Sequence, residues 1–194
     1  MVTSPSVIAV LADALICGIA ADPPWAAFLD RLREHTQADY ASIVFRPLPV
    51  GSPQTRVLHY ASGHQSPPII AQLYRESLFR ADPLPYFELI EGKTYRLDEL
   101  LRDDDVGHEL YRQSFVEPSG MNFLHIARVR EAGGVNAWIT ISRKVSEFPT
   151  SAIAVLEAII PLLRSALSSH LVLVREQTKA SVSDDVVRRM NFGW

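Results

Sequence analysis

The chain has 194 residues, 47% of them hydrophobic and 21% charged, with a formal net charge of -3 at pH 7. That is enough apolar material for one ordinary core, and the interspersed acids and bases leave no basic footprint for nucleic acid. The single cysteine, Cys17, excludes an internal disulfide and fits a reducing compartment, so a cytoplasmic location is expected.

Residues 7–21 form an apolar stretch, but no Lys or Arg precedes it and Asp13 interrupts it. Its length is too short to span a bilayer. Residues 153–174 are long enough but carry Glu157, Arg164 and His170. Both stretches read as amphipathic helices rather than a signal peptide or a membrane span, and no membrane partner is expected. In the first helix Ile8, Leu11, Leu15 and Ile19 recur at helical spacing. Cys17, near that stripe and without a basic partner, reads as a small core or semi-buried residue rather than a reactive thiol. A second helix is expected to start at Asp22 as N-cap, with Pro23 and Pro24 in its first turn, and to run through Trp25, Phe28, Leu29 and Leu32 to near Ala38.

Residues 40–46 are rich in β-formers and are closed by Pro47, Pro49 and Gly51, which predicts a strand whose hairpin partner is residues 56–61. The stretch 69–79, IIAQLYRESLF, places Ile69, Leu73, Tyr74, Leu78 and Phe79 on one apolar face of a short helix. Pro83 disfavours helical geometry at Asp82 and ends that helix, leaving the Asp82 carboxylate for a backbone turn or for a ligand. Downstream, Tyr86, Phe87, Tyr95, Tyr111 and Phe115 follow in a segment able to line a pocket. A short extended piece is expected at 93–97, reopening into a helical turn. Asp103, Asp104 and Asp105 lack the alternating spacing and glycine of a calcium loop. They read as a solvated helix cap rather than a metal site.

Residues 121–130 and 135–143, joined by a loop with Gly133 and Gly134, are the strongest hairpin signal. Alternation sorts Leu124, Ile126, Ile139 and Ile141 onto a core face. It places Phe123, His125, Ala127, Trp138, Thr140 and Ser142 on a mixed face suited to a small molecule. His125 reads either as a ligand contact or as a buried imidazole satisfied by the backbone or a neighbour, and we favour the second. Trp138 is either core or pocket wall. The ligand-binding set predicted on these grounds is Tyr74, Phe79, Asp82, Tyr86, Tyr95, Tyr111, Phe115, His125, Trp138 and Thr140. No metal ligands, cofactor or catalytic residues are expected.

The longest helix begins at Thr150, with Pro161 inside it as a source of a kink. Ile153, Leu156, Ile160, Leu163, Leu167, Leu171 and Val174 make one stripe, and Ile159, Leu162 and Ala166 a second. One stripe suffices to cover a sheet, so a homodimer through Leu163, Leu167, Leu171 and Val174, joined by Ile8, Leu11 and Leu15, is expected. The pattern fades after Arg175. Residues 1–175 are then expected to form one domain, and 176–194 a linker or the start of another module.

The run LYRESLFRADPLPYFELIEGKTYRLDELL, followed by ELYRQSFVEPSGMNFLHIARV, resembles the N-terminal sensory domains of LuxR-type transcriptional regulators. The resemblance covers most of residues 22–173, and its most specific element is the aromatic helix running into Asp82-Pro83. The quorum-sensing branch carries a Trp on that helix and another after the Asp-Pro pair; here Tyr74 stands alone and no Trp follows until Trp138. The resemblance implies a GAF/PAS-like α+β fold: an antiparallel sheet of about five strands, with terminal helices on one face and a ligand-pocket segment on the other. It also implies signal sensing for a regulator whose helix-turn-helix module reads DNA; nothing after Val182 is long enough to be that module. No nucleophile elbow, phosphate-binding glycine loop, H-E-x-x-H run or cysteine pair is present, so a binding module is favoured over an enzyme. The alternatives are a dimerisation scaffold without ligand and a small enzyme of unrecognised type.

Overall fold

A computed structural model describes residues 5–46, 58–63, 82–130 and 135–191 of the chain. The helical stripe near the N-terminus forms α1 (Pro5–Cys17), which tightens into a 3-10 turn, Gly18–Ala20. Helix α2 follows as Ala26–Thr36. It starts three residues later than the Asp22 cap predicted, because Trp25 takes a left-handed backbone with φ 57°. That conformation costs a non-glycine residue about 1–2 kcal/mol, which the burial of a whole indole offsets. The Trp25 Nε1–H donates to the Leu15 carbonyl at 3.1 Å, and its ring lies 5.4 Å from Phe45 and 4.7 Å from His170. Gly18 is required beneath it: a Cβ there would stand 2.8 Å from the indole Cδ1.

The strands are β1 (Tyr40–Arg46), β2 (Leu58–Gly63), β3 (Thr94–Arg96), β4 (Phe123–Arg130) and β5 (Asn136–Arg143). They form one five-stranded antiparallel sheet in the order β2-β1-β5-β4-β3. The fold is therefore α+β as predicted, with short helices α3 (Leu97–Leu100), α4 (Val106–Tyr111) and α5 (Glu117–Ser119) between β3 and β4. A single wide turn of π type, Arg112–Val116, joins α4 to α5. The Asp105 side chain caps α4 by accepting from the Gly107 and His108 N–H groups, the cap role expected of the acidic run. Those two bonds hold its carboxyl below the usual carboxylate range.

The last element, α6 (Thr150–Asn191), passes through Pro161 without a break and continues where the sequence pattern fades. One part of it, Thr150–Gln177, is long and apolar enough to cross a membrane by length and composition alone. Part of that stretch is used within the fold, where Leu156, Ile159, Leu163 and Leu167 are buried against the sheet and α1, while Leu162, Val172 and Val174 are exposed. The first core therefore lies between the sheet and α1, α2 and α6. A second, smaller core lies on the opposite side of the sheet, where Leu84, Leu89, Leu97, Tyr111, Phe115 and Trp138 pack.

This arrangement corrects the basis of the predicted dimer. Leu11, Leu15, Leu163 and Leu167 are fully buried within one chain, and Ile8 and Leu171 pack against the same core. α1 packs on α6 within the chain, and of the predicted interface residues only Val174 is exposed. Cys17 is also exposed rather than semi-buried, its thiol 4.0 Å from the Asp13 carboxylate.

Candidate functional site

The strand register fixes which side chains share a face. Ile126 stands opposite Thr140 on one side and Tyr95 on the other, while Ala127 is opposite Ile139 and His125 opposite Ile141. Leu124, Ile126, Trp138, Thr140, Ser142 and Tyr95 thus share the face of the smaller core. His125, Ala127, Ile139 and Ile141 share the helix-covered face. The predicted sorting is corrected here: the odd residues of β4 meet the odd residues of β5, because antiparallel partners sum to a constant number and here that sum, set by the hairpin length, is even. His125 therefore lies across the sheet from Trp138 and does not join the other site residues. Its Nε2 is 3.4 Å from Glu147, its ring meets Phe148 edge-on at 5.4 Å, and its buried Nδ1 has no partner among the described residues.

The remaining described site residues do gather. Asp82 sits where Pro83 turns the chain; its Oδ1 accepts from the Leu84 N–H at 3.0 Å and its Oδ2 from the Tyr86 hydroxyl at 2.6 Å. The Tyr86 carbonyl accepts from Trp138 Nε1 at 3.0 Å, and its ring stands edge-on to the indole at 5.6 Å. Phe87 approaches the same indole at 5.3 Å and 89°. A continuous contact runs from the Asp82 turn through Tyr86 to the middle of β5. Tyr95 packs at the rim of the smaller core, its hydroxyl accepting from the Ile90 N–H at 3.1 Å, while Tyr111 and Phe115 stack at 5.4 Å within the same core. Tyr74 and Phe79 fall outside the described residues.

Two features of this face escaped the sequence reading. The first is Arg128, a charged residue in the middle of a central strand. Its guanidinium donates to the Asn136 side chain from Nε at 2.9 Å and from Nη2 at 2.6 Å, and to the carbonyls of Phe87 and Leu89. It fastens the segment after Asp82 to the sheet. An arginine between Ala127 and Val129 was the available signal, since a charge in a central strand survives only with several fixed acceptors.

The second is a row of hydroxyls. Ser42 of β1 and Thr140 of β5 are cross-strand partners with their oxygens 3.1 Å apart, and Ser142 lies one pair further along. All three are buried, and Ser142 Oγ has no hydrogen-bond partner among the described residues. The row reaches the surface through Tyr40, whose hydroxyl is 2.8 Å from His59 Nε2. Burial pushes the Tyr40 phenol up to about 12, a rise tempered by a hydrogen bond from Ser42. Small polar residues in a strand signal this only after the register shows that they align.

No family model and no curated protein matches the chain. Solved structures do. The solution structure of SdiA1-171 from E. coli is 17% identical with a TM-score of 0.59, over 86% of this chain and 93% of that one. CepR2 of Burkholderia cenocepacia, an N-acylhomoserine-lactone-dependent LuxR-family transcription factor, is 15% identical with a TM-score of 0.57, over 86% of this chain and 99% of that one. The fold is that of LuxR-type sensory domains. GAF domains share it: GAF3 of Slr1393 from Synechocystis matches 78% of this chain and 95% of its own, at 15% identity and a TM-score of 0.51. In this GAF-like fold the Asp82–Tyr86–Trp138 contact and the hydroxyl row occupy the sheet face opposite the terminal helices. The helices carry the larger core.

Proposed function

We propose that this chain is the ligand-sensing domain of a bacterial transcriptional regulator, cytoplasmic and homodimeric, with DNA read by a helix-turn-helix module outside these residues. The observation that carries the reading is the sheet face bearing Asp82, Tyr86, Trp138 and Thr140, in a fold shared with LuxR-type sensors. Binding is favoured over catalysis because, among the described residues, the serine and threonine hydroxyls of this face bond to one another and not to a histidine or carboxylate. A small-molecule ligand agrees with what such neighbours take, since SdiA has also been solved with octanoyl-rac-glycerol. A thermal-shift screen of metabolites tests it, because a ligand at about 100 times its dissociation constant adds roughly 2.7 kcal/mol to stability. Absence of any stabilising compound overturns the sensing role.

For the homodimer, support comes from exposed apolar side chains on the outer helices, Val10 and Ile16 of α1 and Leu162, Val172 and Val174 of α6. Sedimentation equilibrium at tens of micromolar decides it, and a monomer there sinks the claim. A second reading, a dimerisation scaffold whose pocket is filled by its own side chains, is favoured by one observation: Trp138 is buried against Tyr86 and Phe87 with its N–H satisfied internally. Under that reading the dimer persists and the screen is silent.

A further inference from the structure

We infer that residues 84–92 are a strap closed over the ligand face, latched by the cross-strand pair Arg128–Trp138, and that the strap must be released before a ligand reaches that face. The device rests on the sensing role proposed above and controls access to the same site.

Burial makes such a device necessary. Trp138 is 2% exposed and is met edge-on by Tyr86 and Phe87, so no ligand touches the indole while those two residues stay in place. What covers it is one short segment. Between Leu84 and Gly92 the chain belongs to no helix or strand. Its internal backbone bonds are single turns, from the Tyr86 N–H to the Leu84 carbonyl and from the Glu88 N–H to the Pro85 carbonyl.

The bonds that hold this segment to the sheet converge on two residues. Among the described residues, the Tyr86 carbonyl accepts from Trp138 Nε1 at 3.0 Å, and the Phe87 and Leu89 carbonyls both accept from Arg128 Nη1. Arg128 and Trp138 stand opposite one another in the β4–β5 ladder. Asn136 aims the guanidinium: its side-chain oxygen takes Nε and Nη2 of the rigid fork and leaves the two protons of Nη1 for the two carbonyls. The far end of the segment is tied by the Gly92 N–H to the Arg128 carbonyl at 3.0 Å and by the Ile90 N–H to the Tyr95 hydroxyl. A strand would spread its attachment along a ladder; here one side-chain pair carries most of it, so breaking that pair frees the strap and leaves the bonds of the sheet intact. Opening also gives up little apolar burial, because Leu84 and Leu89 are buried while Phe87 and Ile90 are exposed. Few buried contacts and few ladder bonds are the physical marks of a segment that opens locally.

Hydrogen exchange on the ligand-free chain tests the strap, while the metabolite screen tests the sensing role separately. At low urea the amides of Tyr86, Glu88, Ile90 and Gly92 are expected to exchange through an opening that urea hardly changes, whereas those of β1 and β5 follow global unfolding. Arg128→Met should accelerate the four strap amides at least about tenfold more than it accelerates those of β1 and β5. Trp138→Phe keeps an aromatic ring and loses the N–H; it should act in the same direction and serves if Arg128→Met does not fold. Glu91→Gln loses only the exposed ion pair with Arg164 at 3.4 Å and should leave strap exchange as it was. Acrylamide should quench the Trp138 emission, taken as the part absent from Trp138→Phe, more in Arg128→Met than in the wild type. Strap amides that share the urea dependence of the sheet, equal acceleration of strap and sheet in the latch variants, or unchanged quenching overturns the strap and leaves the sensing role standing. A silent metabolite screen beside an opening strap strikes the sensing role and not the latch.

Discussion

Asp82 uses both of its carboxylate oxygens inside the protein, one on the Leu84 N–H and one on the Tyr86 hydroxyl. Asparagine keeps one acceptor oxygen for the Leu84 N–H and presents an N–H to the Tyr86 hydroxyl, so Asp82→Asn replaces a charge-assisted bond by a weaker neutral one in which Tyr86 must accept. A drop in stability of about 1–2 kcal/mol is expected, read as a lower urea midpoint with an unchanged slope. An unchanged midpoint together with lost ligand stabilisation would instead make Asp82 a polar anchor for the ligand. Tyr40 gives a second residue-scale outcome. Its phenol ionises at about 12 in the folded chain against 10.0 ordinarily, because burial opposes the charged form. The folded state thus holds this proton longer than the unfolded chain does. The resulting stabilisation is complete below pH 10 and is lost as pH rises through 12. Absorbance titration at alkaline pH should reveal a late-ionising tyrosine that is missing in Tyr40→Phe; an identical curve in the variant refutes the assignment.

At the scale of elements, α6 decides how its apolar residues are used. Its heptad-like spacing is compatible with a partner helix from another chain or with α1 of the same chain, since both bury the same area. The structure has α1 doing it, aided by the bond from His170 Nδ1 to the Ile19 carbonyl at 2.7 Å and by Trp25 beneath the imidazole. Leu167→Glu should therefore unfold the chain rather than split a dimer, because a carboxylate replaces a fully buried side chain, at a cost of about 3 kcal/mol or more. Val172→Glu, at an exposed position of the same helix, should leave the circular dichroism spectrum unchanged. A folded, monomeric Leu167→Glu variant contradicts this packing. The element most altered between sequence and structure is the β4–β5 pair. Its strands were legible, but the partner of each residue depends on where the ladder starts, and shifting that by one residue moves His125 between faces.

For the whole molecule, the sheet separates two cores of unequal size, and local stability should follow that division. Amides of β1 and β5, which are hydrogen-bonded on both sides and bear the larger core, are expected to exchange slowest. Amides near the end of α6, where residues 174–177 are exposed, should exchange much faster than those of 152–167. Hydrogen exchange read by mass spectrometry resolves these segments. Equal protection along all of α6 would mean that something further covers it, as a homodimer would.

The sequence by itself determined the α+β class, five of the strand and helix positions nearly to the residue, the aromatic segment after Asp82-Pro83 and the capping role of the acidic run. These follow from short-range physics: periodicity, proline and glycine punctuation, and hydrogen bonds to near neighbours. Tertiary structure alone decided that Trp25 turns left-handed into the core, that α1 packs on α6, that His125 leaves the site and that Ser42, Thr140 and Ser142 line up. Each of these depends on which distant residues come to face one another. Ser42 and Thr140 stand 98 positions apart in sequence, and strand register, not local preference, brings their hydroxyls together.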